Sequence, residues 1–321
     1  MPPSQGLSSN LFGKGIIQII VEEEMVDLLK LFDDLDRVNP TSRSSKDGAI
    51  IKGPFPWAGG KSRSVANILK YLPYRKVYVE PFGGSGVVLL ARKPCDLDVL
   101  NDRHAGIVAF YRCLRNPEKY RKLVDWIDLT VHSREDFVYA KNNWINEKDD
   151  VQRAGHWYYM VNYSFGSLGR NFGRSTSGRG LIAGKIRNKI KMFPFLHERL
   201  KRVQIENQDW RDCIRDYDSR NTVFYIDPPY VDAHPGTYEH EMTRPEHEEL
   251  LDVIFQIKGF CAVSGYTNPL YDRQPWDNVH SWDSFCSIDS CAYTDGNNKL
   301  QLEGKTKRTN AEERLWIKES K

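Results

Sequence analysis

With 321 residues, 28% of them charged and 40% apolar, the chain has material for one large or two ordinary domains with a sizeable core. Its net charge is only +3, and no apolar run approaches the roughly 20 residues that cross a bilayer, so no membrane partner is expected. Six cysteines (Cys95, Cys113, Cys213, Cys261, Cys286, Cys291) lack CxxC spacing and eight histidines lack HExxH spacing. Together with the absence of a basic-then-apolar leader, they predict reduced thiols in a cytoplasmic setting and no metal site.

In chain order, residues 1–50 look like an appendage. An apolar stripe runs Val21, Met25, Leu28, Phe32, Leu35 at helical spacing, and seven acids face one base between Ile16 and Asp36. The preferred expectation is an amphipathic helix docked on the body; the sharper one is an acidic arm that dimerises or competes with a polyanion. A Pro/Ser-rich linker from Asn39 to Gly48 follows.

Pro54-Phe55-Pro56-Trp57-Ala58-Gly59-Gly60-Lys61 precedes a helical pattern (Val65, Ile68, Leu69, Leu72). Two glycines before a lysine at a helix start suit a phosphate or a carboxylate, but the spacing is not that of a Walker loop. Next comes strand, glycine-rich turn and helix: Lys76 to Val79, then Glu80-Pro81-Phe82-Gly83-Gly84-Ser85-Gly86, then Val87 to Ala91. An acid at that strand end repels a pyrophosphate and suits the cationic end of an amino acid. A second strand, Leu97 to Leu100, delivers Asn101 and Asp102 at the spacing of a ribose-binding acid. A pocket for adenosine without phosphate has the composition of S-adenosylmethionine.

From Ala105 the pattern is helical, and it stays mostly helical to about residue 165 with many Trp and Tyr. From Ser164 to Arg202 there are ten Lys/Arg and a single acid, Glu198, with glycines and aromatics interleaved. Phe165, Arg170, Asn171, Arg174, Arg179, Lys185, Arg187 and Lys189 are the candidate nucleic-acid contacts: cations for phosphates, Arg and Asn for base edges, an aromatic as wedge.

The α/β pattern resumes at Val203 to Glu206, a strand leading to Asp209. Thr222-Val223-Phe224-Tyr225-Ile226 is an unbroken uncharged run, as in a strand buried on both faces, and it ends in Asp227-Pro228-Pro229-Tyr230. An amine of adenine or cytosine is a poor nucleophile because its lone pair is delocalised into the ring. A carboxylate and a fixed carbonyl accepting its two hydrogens would free that pair, and a tyrosine ring can stack on the extruded base. A helix from Arg244 to Ile257, a strand from Phe260 to Val263 and an edge pair near Val279 and Leu315-Trp316-Ile317 complete the sheet. His234, His240 and His247 are expected at the surface, and residues 283–310 show no period.

Phe55 to Lys61, Glu80 to Gly86, Asn101-Asp102, a basic insert and Asp227 to Tyr230, in this order, resemble the Dam family of DNA adenine N6-methyltransferases over roughly residues 52–318. The resemblance implies an α/β fold: a class I S-adenosylmethionine-dependent methyltransferase (Rossmann-like) sheet with an inserted, mainly helical DNA-recognition domain. It divides the chain into an N-terminal extension (1–50), a first catalytic part (51–115), the insert (116–202) and a second catalytic part (203–321). It implies S-adenosylmethionine contacts from Trp57, Gly59, Gly60, Lys61, Glu80, Pro81, Phe82, Gly84, Ser85, Gly86, Asp102 and Asp227, with Asp209 on the adenine side. Asp227, Pro228, Pro229 and Tyr230 would hold the flipped adenine. Double-stranded DNA is the implied partner, for a monomer or weak dimer in a bacterium or phage-infected host, where restriction–modification is one setting. Gly166-Ser167-Leu168-Gly169-Arg170 departs from the family's usual recognition segment, which puts a GATC target in doubt. N4 of cytosine, adenine in RNA, and a catalytically silent DNA-binding regulator stay as alternatives.

Overall fold

A computed structural model of the chain describes residues 53–167, 169–174, 182–231, 239–285, 293, 294, 300, 301 and 310–321. The expected helix over 21–35 and the linker over 39–48 lie outside these residues.

Among the described residues, the main sheet holds β1 (Val77–Glu80), β2 (Leu97–Asn101), β3 (Val203–Glu206), β4 (Thr222–Ile226), β5 (Phe260–Tyr266) and β6 (Asn278–Phe285). A separate pair, β7 (Tyr293–Thr294) and β8 (Leu300–Gln301), precedes its last strand, β9 (Asn310–Lys318). The order is β3-β2-β1-β4-β5-β9-β6, parallel from β3 to β5, with β9 antiparallel to both neighbours. This is the class I methyltransferase sheet that the resemblance implies. The expected edge pairing is met, with Val279 opposite Trp316.

β4 shows why an unalternating sequence is a central strand here. All five of its residues are buried. Val223 and Tyr225 enter one apolar cluster, and Phe224 and Ile226 enter the other, on the opposite face. The strand order reverses between β1 and β4, which opens a crevice beyond their carboxyl ends.

The helices flanking the glycine turn are α1 (Val65–Leu69), α2 (Val87–Ala91) and α3 (Ala105–Arg115). Between α3 and β3 lie α4 (Pro117–Leu129), α5 (Arg134–Asn143), α6 (Asp150–Tyr163), α7 (Ile182–Ile190) and α8 (Phe193–Leu200). The Trp and Tyr of this stretch build a core, as expected: Trp157, Tyr158 and Tyr159 are buried on α6. Gly106 lets α3 approach α6, because a Cβ there would lie 2.3 Å from the Trp157 ring. Asn116, capping the N–H groups of Glu118 and Lys119, with Pro117 in the first turn, starts α4.

After β3 come α9 (Trp210–Tyr217), α10 (Arg244–Gln256), which opens on a Thr243/Glu246 capping box, and α11 (Pro269–Asp272). His247 corrects the expectation of a surface histidine. It is fully buried on α10, where Nδ1 meets the Tyr271 hydroxyl at 2.8 Å. Among the described residues no helix is long and apolar enough to cross a membrane. Cys95, Cys113, Cys213 and Cys261 are buried free thiols.

Candidate active site

An open cleft, with about 1030 Å³ of space between its walls and out to the solvent at its mouth, lies at the switch point. Its lining gathers four of the sequence segments singled out above, Trp57 to Lys61, Glu80 to Ser85, Asp102 to His104 and Asp227 to Tyr230, and adds Gln208, Trp210 and Glu239 to Met242. Pro228, Pro229 and Tyr230 also line a second, smaller cavity with Ser264, Tyr266 and Trp316.

Asp227 follows β4 directly, so the sheet fixes where its carboxyl stands. The Lys61 ammonium lies 2.6 Å from Oδ1 and 2.7 Å from Oδ2, and the Ser264 hydroxyl donates to Oδ1 at 2.9 Å. Ser264 in turn is 2.8 Å from the Tyr225 hydroxyl. Burial raises the Asp227 carboxyl above its ordinary range, against the opposing pull of Lys61. Lys61 also donates to the Gly59 carbonyl at 2.8 Å and reaches the Tyr230 hydroxyl at 2.6 Å. The Tyr230 ring meets Tyr266 edge-on at 4.8 Å.

Glu80 closes β1 and is fully buried. Desolvation pushes it up to about 8, although the Tyr78 hydroxyl donates to it at 2.7 Å. Asp102 is held by backbone donors, Gly84 N–H at 2.7 Å and His104 N–H at 2.8 Å, and burial raises it too. The glycine turn packs so closely that a Cβ on Gly84, at φ +49°, would lie 2.9 Å from the Trp57 ring. Gly86 stands behind the cleft, left-handed at the start of α2.

Asp209 does not line the cleft. It caps α9 through the Arg211 N–H at 3.0 Å and also accepts from that residue's guanidinium. Spacing brought it near the adenine side, but the helix start takes up its carboxylate. Three residues around the cleft had no local signal. His104 Nδ1 accepts from the Gly106 N–H at 3.1 Å, so Nε2 carries the proton and donates to Glu239 at 2.7 Å. Glu313, on β9, lies 3.7 Å from the Lys61 ammonium. Ser264, on β5, completes the hold on Asp227.

Between α6 and α7, residues 164–167 and 169–173 form the two arms of a hairpin closed by a Ser164–Phe172 bridge. Phe165, Arg170, Asn171 and Arg174 are exposed on it, and Phe165 keeps 55% of its surface. Phe172 anchors it beneath Arg134, His132 and Phe137. Arg187 is exposed on α7, whereas Lys189 is half-buried and donates to Asn162 at 2.7 Å. Lys185 lies on α7, and Arg179 is outside the described residues. Arg199, counted in the basic run, is buried and pairs with Asp98 at 2.7 Å. Among the described residues no group of three His, Cys, Asp or Glu is arranged to hold a metal.

The donor set suits S-adenosylmethionine: cations (Lys61, Arg103) for a carboxylate, acids for a cationic centre and hydroxyls, aromatic walls, and a glycine cradle that a Cβ would fill. Comparison with known proteins gives the same direction. The family of D12 class N6 adenine-specific DNA methyltransferases matches residues 57–284. The chain is 23% identical over 262 residues to the type II methyltransferase M.CviBI of Paramecium bursaria Chlorella virus NC1A, covering 72% of this chain and 94% of that one. It is 26% identical over 193 residues to a DNA adenine methylase of Vibrio cholerae, covering 58% and 66% respectively. A DNA N-6-adenine-methyltransferase of Escherichia phage P1 is 30% identical over 118 residues, which span 36% of this chain and 16% of the phage protein.

Proposed function

We infer the reaction from one premise: the chain belongs to the D12 class N6 adenine-specific DNA methyltransferases. It is a DNA adenine-N6 methyltransferase, and enzymes of this class draw on S-adenosylmethionine. That cofactor supplies, when bound, an electron-poor methyl group for transfer to the amine nitrogen.

The rest falls to this chain's residues. Lys61 would pair with the cofactor's carboxylate and Glu80 would face its cationic portion. Asp102, with lone pairs to spare beyond its two backbone donors, would take ribose hydroxyls. Trp57, Gly59, Gly60, Pro81, Phe82, Gly84 and Ser85 line the same space. Asp227 and the Pro228 carbonyl accept the two hydrogens of the adenine amine, and Tyr230 stacks on the base. That withdraws the nitrogen lone pair from the ring and turns it outward. Positioning by preorganised acceptors carries most of the rate, rather than proton removal by a strong base.

The exposed hairpin at 164–173 and Arg187 on α7 contact phosphates and the groove of double-stranded DNA. They offset the few kcal/mol that extruding the adenine costs.

One observation carries the reading. A half-buried carboxyl just past the end of β4 faces a tight glycine turn across one cleft. The test is to incubate the protein with methyl-tritiated S-adenosylmethionine and DNA from a methylation-free host, then identify the labelled nucleoside and map it by single-molecule sequencing. N6-methyladenine at a defined sequence is expected. N4-methylcytosine, label in RNA alone, or no label overturns it.

A further inference from the structure

The mechanism leaves one buried acid of the site without a task. Glu313 sits on β9 directly opposite Tyr266 of β5 and Trp282 of β6, and it is 3% exposed. One of its oxygens accepts from the Ser64 hydroxyl, and the other faces the Lys61 ammonium at 3.7 Å. The Trp282 indole N–H donates to Ser64 Oγ at 3.2 Å, which turns the serine's own proton toward the acid. Lys61 therefore stands between two carboxylates, at 2.6 Å from Asp227 and 3.7 Å from Glu313. Glu80 from β1, Tyr225 from β4 and Tyr230 face the same group.

This arrangement bears on Asp227. As it stands, its Oδ1 already takes the Ser264 hydroxyl and its two oxygens share the ammonium. A carboxylate neutralised at that distance attracts an incoming amine hydrogen weakly. The lysine stem is long and flexible, so a short swing exchanges one carboxylate for the other.

We propose that Glu313 is a positioning residue, which draws the Lys61 ammonium off Asp227 when the target amine enters, so that Asp227 meets the base with its charge available. The inference rests on the reading of Asp227 as acceptor of the amine hydrogens. Nothing in the four sequence segments of the cleft requires an acid at 313; the register of β9 delivers it.

The test compares the wild-type protein with Glu313→Gln, Glu313→Asp and Ser64→Ala. Turnover is followed with tritiated cofactor on methylation-free DNA across pH, and S-adenosylhomocysteine binding is measured by calorimetry. Glu313→Gln keeps the acceptor for Ser64 but removes the charge. It is expected to lower kcat roughly tenfold or more while the affinity for S-adenosylhomocysteine stays within about threefold. The acid limb of the kcat profile should move to lower pH, because a negative neighbour of Asp227 is gone. Glu313→Asp should restore part of kcat. Ser64→Ala should act in the same direction less strongly, and it carries the test if Glu313→Gln does not fold. An unchanged kcat, a lower kcat with an unmoved acid limb, or Glu313→Asp no better than Gln overturns the role of Glu313. Wild-type protein that transfers no label overturns the methyltransferase reading itself, and this inference with it.

Discussion

The carboxyl ends of β1 and β4 and the hairpin at 164–173 handle charge in opposite ways. At the sheet, Lys61, Glu80 and Glu313 are buried, and each meets a polar partner within the protein. A buried polar or ionisable group demands such partners. On the hairpin, Arg170 and Arg174 are exposed, beside an exposed Phe165 and Asn171. The first region is therefore held by partners within the protein, and the second presents its cations and its aromatic ring to solvent, where the proposed function places DNA. A change in the first should disturb chemistry or folding while DNA affinity holds, and a change in the second should weaken DNA binding while the fold holds.

The most direct test of that division is Asp227→Asn. Methyl transfer should fall by roughly a thousandfold, in the range of lost acid–base and acceptor groups, with DNA affinity by fluorescence anisotropy unchanged. A parallel collapse of DNA binding would erase the division.

Next is Glu80→Gln, read through stability. Burial holds Glu80 at about 8 in the folded protein against an ordinary 4.5. The folded state thus binds this proton more tightly than the unfolded chain does. The stability tied to it is complete below about 4.5 and is lost as pH rises through about 8. The glutamine variant lacks that dependence, so its advantage over wild type should grow from pH 5 to pH 9, by on the order of 4 kcal/mol at most. Urea melts at both pH values measure it; parallel curves would show that Glu80 titrates normally.

Gly84→Ala should follow, since the new Cβ meets the Trp57 ring at 2.9 Å and φ is +49°. Calorimetry should find S-adenosylhomocysteine binding weakened roughly tenfold, with DNA affinity intact. The smallest effect belongs to the hairpin. The double variant Arg170→Ala with Arg174→Ala should flatten the log–log salt dependence of DNA binding by about 0.9 for each phosphate it no longer neutralises, and leave kcat at saturating DNA alone.

How far the sequence sufficed divides along the same line. The strand ending at Asp227, the turn after Glu80 and the Trp57 to Lys61 segment were legible because each is a local pattern whose letters carry their own backbone demands. The hairpin was legible only as an excess of cations. Composition could not separate exposed Arg170 from Arg199, which the Asp98 carboxylate holds inside the protein. Asp209 is a related case: the strand before it pointed to it, and the helix start that follows also uses its carboxylate. His247 misled because an amphipathic helix buries a polar residue wherever a partner such as the Tyr271 hydroxyl waits. Ser264 and Glu313 left no local trace, since strand register alone brings them to Asp227 and Lys61.

The antiparallel insertion of β9 between β5 and β6 has a temporal consequence. Lys61 precedes Glu313 in synthesis by some 250 positions, and the two become neighbours only once β9 has paired with β5. A nascent chain can therefore form its parallel strands and glycine turn while its reactive corner is still unfinished.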